Sequence, residues 1–374
     1  MILYFSTQEM ELLKLIGWCK HIAADSHTRY RSAVFSQKIL DCFQQMGLVF
    51  VDKHGKALRL TPQAYRVLDT AGIRMPQDSR PRSEAAVIKR RVMSADALLT
   101  FYRAGINVYA DNIEQLAAPF TYLPSFTTRR GRNNILNSTV FLGVYRSSDT
   151  AYIVFNVTDG RNMIHLNNEL KGFMSLCEQF QAAKYAVIFM GRSTEAIAGI
   201  AGITSADDTA AKAAFTVKGA ITFAKAYTDI TWSVHFIPCN DNGAWMLRLM
   251  QIPDYRAAIA KAALGGSFRP PYPDAPDTDA IHYAAPHMPA VIAIDMDTKR
   301  IDRAIGAAQG KGFAGIALYV LEEQQSFAAE RYGQMGCEVF ALPMDSLQER
   351  LMDRPSLYEP PLAPYHHEGR YAYF

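Results

Sequence analysis

Three groups of residues in this 374-residue chain have types and spacing that could do chemistry. The first is Ser36-Gln37-Lys38, with Arg29 and Arg31 just before it and Lys53, His54 and Lys56 just after. A Gln amide matches the adenine edge and a Lys the guanine edge or a phosphate, so this set suits a nucleic acid, with Arg29, Arg31, Lys53, His54 and Lys56 as backbone contacts. The second is Lys89-Arg90-Arg91 and Arg129-Arg130-Gly131-Arg132. Arginines beside a glycine can wrap a phosphate backbone with salt-dependent affinity, whereas the plain reading of such runs is a solvated helix face and a loose loop. The third is the apolar run Val291 to Ile294 that ends in Asp295-Met296-Asp297-Thr298. It puts two carboxylates at the C-terminal end of a strand, where open α/β sheets place their sites, although turn and helix-cap roles would explain both without any function.

Other chemistries are excluded by spacing. The nine histidines form no HxxxH or HExxH pair, and Gly191, Gly199 and Gly202 lack both the P-loop Lys and the GxGxxG order. The five cysteines are scattered and odd in number, which indicates neither a disulfide framework nor a zinc knuckle and suggests free buried thiols. No metal or cofactor is expected. The longest apolar stretch, Phe189 to Ile203, is interrupted by Arg192 and Glu195, and the first residues carry no signal-peptide pattern, so a cytoplasmic protein with no membrane partner is expected.

The composition is that of an ordinary globular protein, 49% hydrophobic and 20% charged, and the net charge is only +3. That total averages two unlike parts. Residues 1–146 hold 20 Lys and Arg against 11 Asp and Glu, a balance of +9; residues 147–374 hold 19 against 25, a balance of −6. A basic front implies a polyanionic partner there, while the acidic back should face protein or solvent.

The elements that must position these groups follow from periodicity. Apolar residues at helical spacing predict a helix over Gln8 to Ala23, a short helix after the Asp25-Ser26-His27-Thr28 break, and a third over Ser32 to Met46 that Gly47 ends as a left-handed cap. Two apolar runs around Lys53-His54-Gly55-Lys56 predict a β-hairpin with a basic tip. Thr61 and Pro62 open a fourth helix that stops before Gly72. Helix, short helix, helix, hairpin, helix is the order of a winged helix-turn-helix, which presents its third helix to the major groove. Residues 1–75 are therefore expected to form a winged-helix DNA-binding domain, 76–138 a basic linker and helical region, and 139–374 an α/β domain. In the last, strands at Thr139 to Arg146, Ala151 to Thr158, Tyr185 to Met190, Thr231 to Pro238, Ala290 to Asp295, Ala314 to Val320 and Val339 to Leu342 alternate with helices. One mostly parallel sheet follows, with a single helix over Gly243 to Leu264 and an irregular, Pro-rich Gly265 to Pro289.

The helical start at Glu11 to Ala23, the helix-to-strand passage Leu40 to Val51 and the closing helix Leu60-Thr61-Pro62 to Gly72 resemble the replication-relaxation family of plasmid and integrative-element proteins. The resemblance covers about 72 residues and agrees with the rest in architecture alone. It implies a restriction-endonuclease-like α/β domain and, in some members, nicking of DNA with clustered carboxylates and a divalent metal. Such a nuclease needs an acid near the start of one central strand and an acid-x-Lys on the next. Neither Thr139 to Tyr145 nor Ala151 to Val157 contains a carboxylate; Asp149 and Asp159 fall in turns, and Glu169-Leu170-Lys171 at a helix start. A degenerate, non-cleaving domain follows, with the region around Asn156 as the place to look for converging acids. Residues Val291 to Thr298 also resemble the first motif of haloacid-dehalogenase-type phosphotransferases, which implies Asp295 as nucleophile, Asp297 as general acid and Mg²⁺ between them. That motif usually opens its domain, and here only 77 residues follow Thr298.

The reading that results is a protein that binds double-stranded DNA as an accessory or regulatory factor of a mobile element, with other element-encoded proteins as further partners; the missing acid-x-Lys pattern speaks against an enzyme without deciding the point. The alternatives are a metal-dependent relaxase, nuclease or phosphohydrolase using Asp295 and Asp297, and a winged-helix transcriptional regulator. Winged-helix repressors are commonly dimers, but nothing in the sequence fixes the oligomeric state.

Overall fold

The computed structural model describes residues 2–52, 57–75, 84–128, 141–157, 166–178, 182–201, 227–273, 275–282, 288–351, 353 and 371–372. Lys53, His54, Lys56, Arg129, Arg130, Arg132 and Asp159 lie outside them.

The chain opens with strand β1 (Ile2–Leu3) and helix α1 (Thr7–Cys19), which starts on a Ser6 and Glu9 capping box. Helix α1 stops at Cys19 rather than at Ala23, because Lys20 turns to φ 68° and Ile22–Ala23 form a short strand, β2. Helix α2 (Ser26–Arg29) follows. Helix α3 (Gln37–Gln45) starts five residues later than Ser32: Val34 and Phe35 are buried in the preceding turn, and Ser36 is extended at the N-cap. Gly47 at φ 67° ends the α3 region, β3 (Val49–Asp52) and β4 (Ala57–Leu60) pair antiparallel, and α4 (Pro62–Thr70) begins on the Thr61 side chain with Gly72 at φ 73° beyond it. The strand order is β2-β4-β3. Leu12, Leu13, Leu15, Ile16, Leu40, Phe43, Leu60 and Leu68 close this part of the core.

Helix α5 (Ala85–Arg103) packs on α1 and β2 on one side and on the sheet that follows on the other. The stretch expected to be irregular after Phe120 begins with β5 (Thr121–Pro124) and the single turn α6 (Ser125–Thr128). Strands β6 (Phe141–Arg146) and β7 (Thr150–Asn156), helix α7 (Leu166–Cys177), β8 (Lys184–Gly191), α8 (Thr194–Ile200) and β9 (Ser233–Pro238) complete a sheet of order β5-β6-β7-β8-β9. Only β6 runs against the others.

The predicted helix over Gly243 to Leu264 is two helices, α9 (Asp241–Leu249) and α10 (Tyr255–Leu264). Pro253 cannot donate to the helical ladder, and Asp254 sits at φ 50°. The expected single, mostly parallel sheet is also two mixed sheets. After α10, β10 (Ala280–His282) lies in the stretch expected to be irregular and pairs antiparallel with β11 (Met288–Ile292). Helix α11 (Thr298–Gly310), β12 (Ile316–Leu321), α12 (Gln325–Gly333), β13 (Cys337–Leu342) and α13 (Met344–Arg350) follow, with β11, β12 and β13 parallel. Strand β14 (Tyr371–Ala372) returns to pair with β1. The architecture is mixed α/β. No described helix is long and apolar enough to cross a membrane. Four of the free cysteines are buried as expected, but Cys42 on α3 is exposed.

The two larger sheets meet end to edge. The turn after β11 docks on the free edge of β9, with a bridge between His235 and Asp297 and a hydrogen bond from the Phe236 amide to the Met296 carbonyl. A second junction joins the N-terminal unit to α9. Asp241 accepts from the Arg31 amide at 2.7 Å and from Arg103 Nε at 3.2 Å, while Arg103 Nη2 donates to the Arg31 carbonyl at 2.6 Å. The Tyr30 hydroxyl, fully buried, donates to the Asp96 carbonyl on α5.

Candidate functional site

At the N-terminal unit, α3 forms because Leu40 and Phe43 fall on one face and are buried, with Ile39 half-buried beside them. The opposite face carries exposed Gln37, Lys38, Asp41, Gln44 and Gln45, and Gln37 Nε2 donates to Asp41 Oδ1 at 2.6 Å. Ser36 is half-buried at the N-cap position. Arg29 is held by ion pairs to Asp96 at 2.7 Å and Asp25 at 3.4 Å, so its guanidinium ties α2 to α5. The Arg31 side chain is exposed although its backbone is clamped. On α5, Lys89 is exposed, Arg90 is half-buried, and Arg91 lies 3.5 Å from His21 Nδ1.

Two cations that the sequence reading passed over belong with these. Arg59 on β4 lies over the exposed Phe50 ring at 4.8 Å, and Lys20 stands beside His21. The signal for Arg59 was the alternation along β4, where Leu58 and Leu60 are buried on either side of it. Burial, and then the charges of Arg91 and Arg59, hold the His21 imidazole down to about 4. It is therefore neutral in the fold, whereas the unfolded chain takes up the proton near pH 6.5. Stability from His21 is complete above that value and is lost as the pH falls towards 4. Urea titrations should show a loss of about 1 to 2 kcal/mol over that interval, allowing for solvent screening, and His21→Gln should flatten it.

The second constellation is at the junction of the two sheets. Strand β11 is an apolar run buried on both faces, and its chain then turns through Met296 at φ 45°. Asp297 takes the N-cap of α11: its Oδ1 accepts from the Arg300 amide at 3.2 Å and from the Val234 amide of β9 at 3.3 Å. Asp295 is fully buried. Its Oδ2 accepts from the Tyr255 hydroxyl and from Arg256 Nε and Nη2, both donors in the first turn of α10, while its carbonyl oxygen lies 3.2 Å from His235 Nδ1. Arg256 Nη2 also reaches Asp297 Oδ2 at 3.4 Å. Burial alone would raise the Asp295 carboxyl, but Arg256, His235 and Arg300 outweigh it and hold the group well below the ordinary range. Burial and the Asp295 charge push Tyr255 well above its usual value, so it stays a donor. Behind the pair, Arg300 bonds Asp279 and the Ile292 carbonyl.

Ligand atoms of His235, Asp295 and Asp297 lie within 4.8 Å of one another, the one such group among the described residues. Arg256 already donates to both carboxylates, so a metal ion would have to displace it. A carboxylate with no exposed surface and three donors on one oxygen is also poorly placed to attack a phosphorus atom. The cap role of Asp297 and the ion-pair role of Asp295 account for both residues. Near Asn156, whose amide donates to the Met93 carbonyl at 3.3 Å, β6 and β7 supply no carboxylate.

No family model matches the sequence, and no curated protein or solved structure is significantly similar to it.

Proposed function

We propose that the chain binds double-stranded DNA as an accessory or regulatory protein of a mobile genetic element. The observation that carries this reading is the N-terminal unit: four helices, α1 to α4, a three-stranded sheet of order β2-β4-β3, and a first turn of α3 that leaves Gln37 and Lys38 exposed. That order supports the winged-helix reading, in which α3 would be the reading element and Arg59 would lie on the wing. Lys38, Arg31, Lys89 and Arg59 supply phosphate contacts, to which Lys53, His54, Lys56, Arg129, Arg130 and Arg132 are added from the sequence. The assignment to a mobile element rests on the replication-relaxation resemblance. It is supported by a five-stranded sheet in chain order with only its second strand reversed, an arrangement suited to an endonuclease-like domain. The carboxylate-free β6 and β7 favour a non-cleaving version.

The test is a fluorescence titration of the full chain with a labelled duplex across a salt series. Binding is expected at low salt, with affinity falling at least about tenfold between 50 and 200 mM salt. Lys38→Ala and Arg59→Ala should each weaken it several-fold and lower the salt slope, and supercoiled plasmid should stay intact with Mg²⁺ or Mn²⁺. Absence of binding at low salt, or binding indifferent to salt, would overturn the reading.

A further inference from the structure

Strands β3 and β4 pair with Val49 opposite Leu60 and Phe50 opposite Arg59. Side chains alternate between the two faces of a strand, so the burial of Val49 and Leu60 in the core sets Phe50 and Arg59 on the outer face. The pairing of Ile22 with Leu58, carried one residue back, brings His21 beside Arg59 on the side of β4 away from Phe50. The three members of this row differ in cover. Helix α5 packs on β2, and His21 is fully buried with Arg91 Nη1 3.5 Å from its Nδ1. Arg59 is half-buried, and Phe50 is 44% exposed.

An outward position on an alternating strand ordinarily holds a polar side chain. The Phe50 ring has no core to enter and no strand beyond it, since β3 is the last strand of its sheet. Its partner is the Arg59 guanidinium, 4.8 Å from the ring centre. Arg59 makes no ion pair among the described residues, so its charge is uncompensated. The field around the row is positive as well, because Arg91, Arg59 and Lys20 act on His21 against Asp52.

An open aromatic ring, an uncompensated guanidinium resting on it and a positive field suit a flat ring joined to an anion, which is the chemistry of a nucleotide. The bases of a duplex are already stacked on one another, so only an unpaired strand offers a ring face to Phe50.

We propose that the outer face of the β3-β4 pair binds single-stranded DNA, with an unpaired base against Phe50 and a phosphate on Arg59. The proposal goes beyond duplex binding and does not need it, because the two are read with different ligands.

Fluorescence anisotropy of the full chain compares a labelled oligothymidylate of about 12 nucleotides with a strand of the same length and backbone that lacks the bases. At about 50 mM salt the oligothymidylate is expected to bind at least about fivefold more tightly than the abasic strand. Phe50→Ala changes an exposed residue and should shrink that preference to under about twofold, whereas Phe50→Tyr should keep it. Arg59→Ala should weaken both strands and lower the salt dependence. Equal affinity of the parent for the two strands, a Phe50→Ala chain that retains the preference, or no binding of the oligothymidylate up to roughly 100 μM protein would each overturn the proposal. So would a parent chain that sediments as a dimer and falls to a monomer on Phe50→Ala, since the face would then belong to a second copy.

Discussion

Replacing Arg256 by leucine is expected to remove about 3 to 5 kcal/mol of folding stability, the scale found when one partner of a buried ion pair is deleted. Asp295 and Asp297 have no exposed surface, and Arg256 is the side chain that donates to both. Without it, Asp297 keeps only the Arg300 and Val234 amides, and Asp295 keeps the Tyr255 hydroxyl and His235, with no arginine side chain on either carboxylate. The change has a pH signature. In the native protein the Asp295 carboxyl is held below its unfolded value near 3.9, so its contribution is present above that pH and disappears only as the pH falls through the native value. In Arg256→Leu, burial is left to raise the carboxyls, so the native state takes up protons earlier than the unfolded chain and gains stability on mild acidification. Urea denaturation at pH 7 and pH 5 should therefore show the gap between variant and parent narrowing at the lower pH. A loss under about 1 kcal/mol at pH 7 would mean that water reaches these carboxylates after all.

Gly243→Ala is expected to be at least as damaging. Gly243 is the third residue of α9, and its amide donates to Asn240 Oδ1 in the cap. A Cβ there would lie 1.8 Å from the Pro238 carbonyl oxygen and 3.0 Å from Ile237 Cγ2. The obstacle is backbone, so no rotamer relieves it, and the passage from β9 into α9 must open by more than an ångström. That movement would also withdraw Asp241 from Arg31 and Arg103. A loss of roughly 3 kcal/mol or more is expected in thermal melts. Gly306→Ala on α11 is the control, because nothing lies within 4 Å of its Cβ and the helix should gain about 0.5 to 1 kcal/mol. Similar melting of the two variants would show that the β9 to α9 turn yields easily.

The parts of the fold that local physics decides were legible in the sequence. The buried stripe of α3, the Thr61 and Pro62 start of α4, the left-handed glycines at 47 and 72 and the apolar runs of β8 and β12 stand close to where periodicity and capping put them, whereas β11 ends at Ile292, three residues before the expected Asp295. Strands β2, β5 and β10 were missed because two to four residues cannot show a period, and their strand state comes from a neighbour far along the chain. The break between α9 and α10 could have been read, since Pro253 interrupts the pattern. The pairing of Asp295 with Arg256 could not: the residues are 39 positions apart, and a DxD after a strand suggests chemistry unless the arginine opposite it is known. Arg29 illustrates the same limit, since a cation ahead of α3 looks free until Asp96 is found 67 positions later.

The grip of Asp241 and Arg103 on both polar atoms of the Arg31 peptide has a mechanical meaning. Those atoms precede α3 by a few residues, and their holders sit 72 and 210 positions further on. The pitch at which α3 meets any partner is thus set by the α/β body, as a blade is set by its handle. Any partner that accepted α3 would therefore also meet α5 and α9 at one fixed orientation.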